Sequence, residues 1–366
     1  MIGIIGGYGG VGLHAARFFN QWGQCSLRIG GRNPETARLN FVREFPLAEW
    51  VKVDIEDDRS TAAFLDGCEL AVNCAGPSYR TAARVARICL AQGRRLIDAG
   101  LDQTMGTLRT TSPGATILYA AGATPGLSGL LPRWLAKSFD QVATLLYYTG
   151  ALDRFTATAA VDYLAGVSGP NNLPLAAWKD GARRLTALVK KPGTVLPFFP
   201  RAVNLYPYLD AEAEMVAAAL ALQDGEWYLA IDGERVAAAL ETIRPQFSDD
   251  PFGAVKRLCA ATELEAAGRR RYQNFMIQLS GRKNGALVTR TLVLQAESPA
   301  VLTGTVAAAA GIAVLEGSIP SGVRTLAEIP DPDVLMDRLM QTKCLNNLAI
   351  FECPVAALLP TMEGEI

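Results

Sequence analysis

The chain has 366 residues, half of them hydrophobic, with a formal net charge of −1 and a single histidine. That length predicts two domains with a large core, and the near-neutral balance excludes nucleic acid or a membrane surface as the main partner. The alanine-rich uncharged stretch 298–315 is shorter than a bilayer span.

The chain opens on a strand, Ile2 to Ile5, that runs into the glycine-rich turn Gly6–Gly12. No charged leader precedes it, so no secretory signal is expected. A helical run over 13–19 follows, closed by Gly23, and Cys25 to Ile29 forms a second short strand. Trp50 to Val53 is a third strand, ending at Asp54. A short helix over 60–65, a fourth strand over 70–73 and a helix over 79–92 come next. Arg95 to Asp98 is a fifth strand and Ala115 to Ala120 a sixth. Short apolar strands alternating with helices define an α/β fold, a Rossmann doubly wound parallel sheet.

The alternation stops near Pro125–Gly126. Longer strands follow, including Thr144 to Thr149. A hairpin runs from Tyr272 to Ser280, through a turn over 281–285, to Ala286–Ala296; Asn284–Gly285 is its turn signal. An alanine-rich helix over 303–315, a turn at 320–322 and a helix over 332–340 close the described pattern. This part reads as a second α+β region on a mixed or antiparallel sheet. The expected organisation is 1–125, 126–299 and 300–366; that the middle part is an inserted domain and the last a set of helices returning to the first is what the family resemblance given below implies. The seven cysteines are scattered with no C-x-x-C pair, which predicts a reduced, cytoplasmic protein.

Gly7, Gly9 and Gly12 match G-x-G-x-x-G, with Tyr8, Gly10 and Val11 filling the loop. The first glycine is expected to make the tight turn. The second lets backbone N–H groups approach a pyrophosphate, and the third lets the helix pack close to the strand. An ordinary tight turn is the bland alternative, but the strand–turn–helix–strand context is complete. An NAD site would carry Asp or Glu at the end of the second strand. This chain has Gly30–Gly31–Arg32–Asn33 there, with a planar cation to take a 2′-phosphate, so the expected cofactor is NADP(H). Arg32 lying along the adenine is the alternative. Asp54 and Ile55 are expected to border the adenine. Cys74, Ala75, Gly76 and Pro77 follow the fourth strand on the edge where ligands bind.

Asp98 and Asp102 follow the fifth strand on the same edge. Asp98 reads as a proton relay or a holder of an amine, or as a cap; Asp102 reads mainly as a cap. Cys74 reads as a proton donor or a buried structural thiol. His14 reads as a packing residue, and its being the sole histidine removes Ser-His-Asp and His-zinc chemistries. No tyrosine has a lysine four positions on, so the usual acid–base pair for ketone reduction is missing. An iminium carbon needs less help, which points toward C–N substrates.

Gly7 to Gly12, Gly30 to Pro34, Asn73 to Pro77, Ile97–Asp98 and Ala121 to Gly126 occur in an order that resembles the saccharopine dehydrogenase (saccharopine reductase-like) NADP-binding family. Leu302 to Ala308 and Ile319 to Val323 are similar to its closing helix and turn. The resemblance implies an inserted substrate domain that also dimerises, so a homodimer is expected. It also implies a reductase that joins an amine to a carbonyl, acting on a small molecule either free or tethered to a carrier. The family's fifth-strand motif usually reads Tyr-x-Asp-x-x-Gly-Glu; Leu96 to Asp102 lacks its tyrosine and glutamate.

In the second domain, Tyr163 and Lys179 are candidates for proton donor and carboxylate anchor, with Arg154 a comparable anchor. Thr156, Thr158 and Asp162 lie beside Tyr163 on a helix, and Trp178 to Gly181 resembles a strand-turn feature of the family. The expected function is an NADPH-dependent oxidoreductase that reduces a C=N bond of a small amino-acid-derived intermediate. The alternatives are a non-catalytic NADP(H)-binding sensor or assembly protein, and a C=C (enoyl) reductase.

Overall fold

The structure, a computed structural model, describes residues 1–112, 114–169 and 172–359, without the side chains of 103 and 244–246. It divides into two compact units: Met1–Leu130 with Ala300–Cys344, and Leu131–Pro299 with Leu345–Ile366.

In chain order the first unit holds β1 (Ile2–Ile5), α1 (Gly12–Trp22), β2 (Leu27–Gly31), α2 (Pro34–Phe41), β3 (Glu49–Lys52) and α3 (Asp58–Leu65). It continues with β4 (Leu70–Asn73), α4 (Ser78–Ala91), β5 (Arg95–Asp98), α5 (Leu108–Thr111) and β6 (Thr116–Tyr119). α6 (Leu127–Ala136) carries the chain onward. Elements of the second unit are β7 (Gln141–Leu152), α7 (Ala157–Ser168), β8 (Asn172–Pro174), β9 (Ala177–Lys179), β10 (Ala182–Arg184), β11 (Lys191–Thr194) and β12 (Val203–Asp210). Then come α8 (Ala211–Ala219), β13 (Asp224–Ile231), α9 (Glu234–Gln246), α10 (Pro251–Ala266), β14 (Tyr272–Lys283) and β15 (Ala286–Ala296). The chain closes with α11 (Pro299–Leu315), β16 (Gly322–Thr325), α12 (Asp333–Met340) and β17 (Leu345–Phe351).

The first sheet runs β3-β2-β1-β4-β5-β6-β16, and every pairing in it is parallel. Strand order reverses between β1 and β4, which opens a crevice at their carboxyl ends. Burial explains the apolar strands: β1 and β4 are buried along their whole length. One face packs Ile5, Ala71 and Leu96 with Phe64 and Leu65 of α3 and Val85 and Ala86 of α4. α11 joins through small residues. A Cβ on its Gly304 would fall on the Val11 carbonyl and press His14, and one on Gly311 would meet Phe19 at 2.8 Å. The run of alanines between them allows that close approach of two helices.

The second sheet follows the path β10-β9-β13-β7-β14-β15-β17, with β12 also pairing β13, β11 and β8. β13 with β7 is its one parallel pair among the described strands, so the sheet is mixed. α7, α9 and α10 cover Leu229 and Ile231 on one face, while Tyr148, Tyr228, Met276 and Val293 pack on the other. The β14–β15 hairpin closes at Lys283↔Ala286. Its turn is therefore the two residues Asn284 (φ 50°) and Gly285 (φ 79°), shorter than the expected 281–285. Two consecutive left-handed residues match the strand twist, so pairing continues to the turn.

The observed division corrects the expected one in two places. The first unit extends past 125, because the Ala121 N–H bonds the Asp98 carbonyl and the Leu127 N–H bonds the Gly122 carbonyl. The C-terminal segment is not one set of returning helices. It adds β16 to the parallel sheet, then β17 pairs with β15 in the mixed sheet from Thr291↔Phe351 to Ala296↔Leu345.

Candidate functional site

The glycine loop leads straight from buried β1 into α1. Gly6 is its left-handed residue, at φ 71°. That corrects the expectation that Gly7, the first glycine of the spacing, makes the turn. Gly7 is required by packing instead, since a Cβ there would meet Ile29 and the Ile4 carbonyl at 2.9 Å. At Gly12 a Cβ would fall on the Gly6 carbonyl and lie 2.7 Å from the Gly7 Cα, the close helix–strand approach expected of the third glycine. A Cβ on Gly10 would meet nothing within 4 Å, so this side of the loop is open. The N–H groups of Gly10, Val11 and Gly12 have no acceptor among the described residues, and no side chain caps α1. Open N–H groups at a helix start suit a pyrophosphate, so the loop fits a dinucleotide.

At the end of β2, Gly30 lies against Phe64, where a Cβ would clash with the ring. Arg32 and Asn33 are exposed, and the Arg32 side chain has no hydrogen bond or ion pair among the described residues. No carboxylate occupies Gly30, Gly31, Arg32 or Asn33. Asp54 is exposed and accepts the Glu56 N–H at 3.0 Å, and Ile55 beside it is half-buried.

On the other side of the crevice, β4 and β5 end in register at Asn73↔Asp98. Asn73 Nδ2 donates to Asp98 Oδ2 at 2.7 Å, and both residues are 1% exposed. Asn73 Oδ1 accepts the Ala75 N–H at 3.2 Å, and Asp98 Oδ1 accepts the Gly100 N–H at 2.9 Å. The pair therefore shapes both loops, Cys74–Pro77 and Ala99–Leu101. A Cβ on Gly100 would fall on Ser78, so the two loops interlock. Of the two readings left open for Asp98, this geometry matches the structural one. Asp102 accepts the N–H and hydroxyl of Thr104, which makes it a cap. Burial, with Asp98 nearby, pushes the Cys74 thiol up to about 12, so the half-buried thiol stays protonated. Thr303 on α11 accepts the Ala123 N–H at 3.2 Å and ties the 121–126 loop to the same edge.

The second-unit candidates lie apart from one another. Tyr163, on α7, packs against Phe155 with ring centroids 5.2 Å apart, within the helical layer that includes Leu240 and Leu258. Thr156 caps α7 by accepting the Ala159 N–H. Thr158 is exposed and Asp162 half-buried on the same helix. Arg154 reaches Glu263 at 3.8 Å, both largely exposed. Lys179 Nζ bonds Glu226 Oε1 at 2.9 Å, and the Tyr228 hydroxyl donates to Glu226 Oε2 at 2.8 Å. Lys191 sits 4.6 Å from the Tyr228 ring centre. Lys179 thus has a protein carboxylate where the expectation gave it a substrate carboxylate, and Tyr163 belongs to a packed layer. The two are not brought together.

A second polar centre went unread in the sequence. Asp232, 3% exposed, accepts from Arg269 Nη2 at 2.5 Å, the Tyr272 hydroxyl at 2.8 Å and Arg201 Nε at 3.3 Å. Glu265, 8% exposed, accepts from both arginines and from the Arg235 N–H. Two arginines balance two carboxylates, and a Cβ on Gly233 would fall on Glu265. Asn73 was read as part of the Asn73–Pro77 turn, but its bond to Asp98 was not anticipated; the available signal was a polar residue ending an apolar strand opposite a second one.

This strand order with an open glycine loop defines a dinucleotide-binding Rossmann fold. Residues 2–121 match the family described as the saccharopine dehydrogenase NADP binding domain. These residues are similar to that domain family, and the cofactor of the site is NADP(H). The full chain shares its fold with saccharopine dehydrogenase (L-Glu forming) from Saccharomyces cerevisiae, with TM-score 0.71 at 14% identity over 96% of this chain and 99% of that one. It is also similar to DAP dehydrogenase of C. glutamicum in complex with DAP, with TM-score 0.47 at 16% identity over 93% of this chain and 98% of that one. No curated protein matches the chain. Among the described residues no helix is long and apolar enough to cross a membrane, and no group of His, Cys, Asp and Glu is arranged to hold a metal.

Proposed function

We propose that the protein is an NADPH-dependent reductase of a C=N bond in a small amino-acid-derived intermediate. The observation that carries this reading is the state of the acid–base groups on the carboxyl edge of the first sheet. Asp98 is buried and holds two loops, Asp102 caps a turn, and the Cys74 thiol is protonated. Around β4 and β5 the edge offers walls for a nicotinamide, and none of Asp98, Asp102 and Cys74 is free there to relay a proton. A protonated imine already carries the proton that a ketone would have to be given during hydride transfer. The similarity to a saccharopine dehydrogenase supports the same class of bond.

When bound, NADPH would supply the hydride. The open N–H groups of Gly10, Val11 and Gly12 would hold its pyrophosphate, and Arg32 its 2′-phosphate, with Asn33 beside it. Cys74, Ala75, Gly76 and Pro77 would border the cofactor, with Asn73 and Asp98 positioning them from beneath. Asp54 and Ile55 would flank the adenine. The substrate is read as a small molecule and the working state as a homodimer.

The test is NADPH consumption with a 2-oxo acid plus an amine, compared with the oxo acid alone. Turnover that requires the amine supports the reading. Tight NADPH binding with no turnover for any pair supports a sensor, and turnover of an enoyl substrate supports C=C reduction.

A further inference from the structure

Tyr8 stands one residue into the glycine loop, yet its ring crosses to the end of β2. A Cβ placed on Gly31 would lie 2.7 Å from Tyr8 Cε1, so the ring occupies the space that Gly31 leaves open. The Tyr8 hydroxyl accepts the Asn33 N–H at 2.6 Å. Asn33 is the residue that starts α2, and its side chain makes no capping bond. Tyr8 therefore ties down the main chain of Arg32–Asn33 and leaves both side chains exposed. It also occupies the one main-chain donor of Asn33, so an anion arriving there must be taken by the Arg32 guanidinium and the Asn33 amide.

We propose that Tyr8 is a positioning residue for the 2′-phosphate, a latch that links the pyrophosphate loop to the loop that selects NADPH over NADH. This rests on the reading of Arg32 as the 2′-phosphate ligand. The physical reason is conformational entropy. Arg32 is long and unbonded, and a loop already held at Asn33 loses less freedom when the guanidinium engages a phosphate. The pyrophosphate loop is already held by the Gly7 N–H to the Gly30 carbonyl and the Gly9 N–H to the Gly6 carbonyl, so the latch adds chiefly on the 2′-phosphate side and its effect is selective.

The experiment is calorimetric titration of NADPH and NADH into the full chain, as wild type, Tyr8→Phe, Arg32→Ala and the double variant. Tyr8→Phe keeps the ring and deletes the acceptor. It is expected to weaken NADPH roughly fivefold, about the worth of one hydrogen bond, and NADH less than about twofold. In the Arg32→Ala background the same change is expected to leave NADPH affinity where it was, because the latch acts through Arg32. Gly31→Ala, which displaces the ring, should show the same selective loss.

Equal weakening of both cofactors by Tyr8→Phe, or a full additional loss in the double variant, would overturn the latch. Arg32→Ala weakening both cofactors alike would instead overturn the Arg32 reading on which the latch depends.

Discussion

The two sheets deploy their polar groups in opposite ways. At the carboxyl edge of the parallel sheet they bond into the neighbouring loops: Asn73 to Asp98 across adjacent strands, and Asp98 to Gly100 within one turn. In the mixed sheet they pair over long separations, Lys179 with Glu226 and Arg201 with Asp232 and Glu265. The first arrangement shapes loops around a ligand edge. The second holds distant segments of one unit together. Away from that edge the first unit is held by ion pairs as well, such as Arg28–Glu49 and Arg109–Glu328.

The largest expected effect tests the structural half of this contrast. Asp232→Ala leaves Arg201, Arg269 and Tyr272 without their shared acceptor and should cost about 3 kcal/mol or more, read as a shifted denaturation midpoint. A loss within about 0.5 kcal/mol would mean the network is not structural. Next comes Gly12→Ala. Its Cβ falls on the Gly6 carbonyl, so the loop must shift, and overpacking of this kind costs about 1–3 kcal/mol. NADPH binding should be lost well before the fold is. Arg32→Ala follows, with about 2 kcal/mol of NADPH affinity removed, roughly thirtyfold, and NADH nearly unchanged.

Lys179→Met gives a smaller effect that divides two roles. As a partly exposed ion pair it should contribute about 0.5 kcal/mol to stability and nothing to turnover. A rise in KM of roughly tenfold or more would instead support Lys179 as the anchor of a substrate carboxylate. A further expected effect concerns pH. The Cys74 thiol is raised from 9.0 to about 12, so the folded chain keeps a proton that the unfolded chain gives up above pH 9.0. Stability should therefore fall as pH rises between those values. The buried Cys89 thiol is raised in the same way, so replacing Cys74 with Ser should reduce that slope without abolishing it; an unchanged slope would assign it to other groups.

How much was legible follows from the same contrast. β1 through β6 were readable because each is a short apolar run and the loops after them carry compact motifs such as Gly7–Gly12 and Asn73–Pro77. α2 went unread because Pro34–Phe41 buries only Pro34 and Ala37 and has no clear apolar stripe. β16 went unread because its four residues include Arg324 and Thr325, and β17 because Asn346 and Asn347 break its apolar pattern. Gly6 and Gly7 are neighbours, and spacing alone cannot say which of them takes the left-handed conformation. Lys179 and Tyr163 looked like site residues because their partners, Glu226 and Phe155, are set by the fold.

The most direct test of the account is cofactor consumption by the purified full chain, followed with NADPH in the presence of a 2-oxo acid with and without a primary amine. The account predicts oxidation of NADPH only when both are present, with NADH a poor replacement. Oxidation with the oxo acid alone, or equal use of NADH, would contradict it.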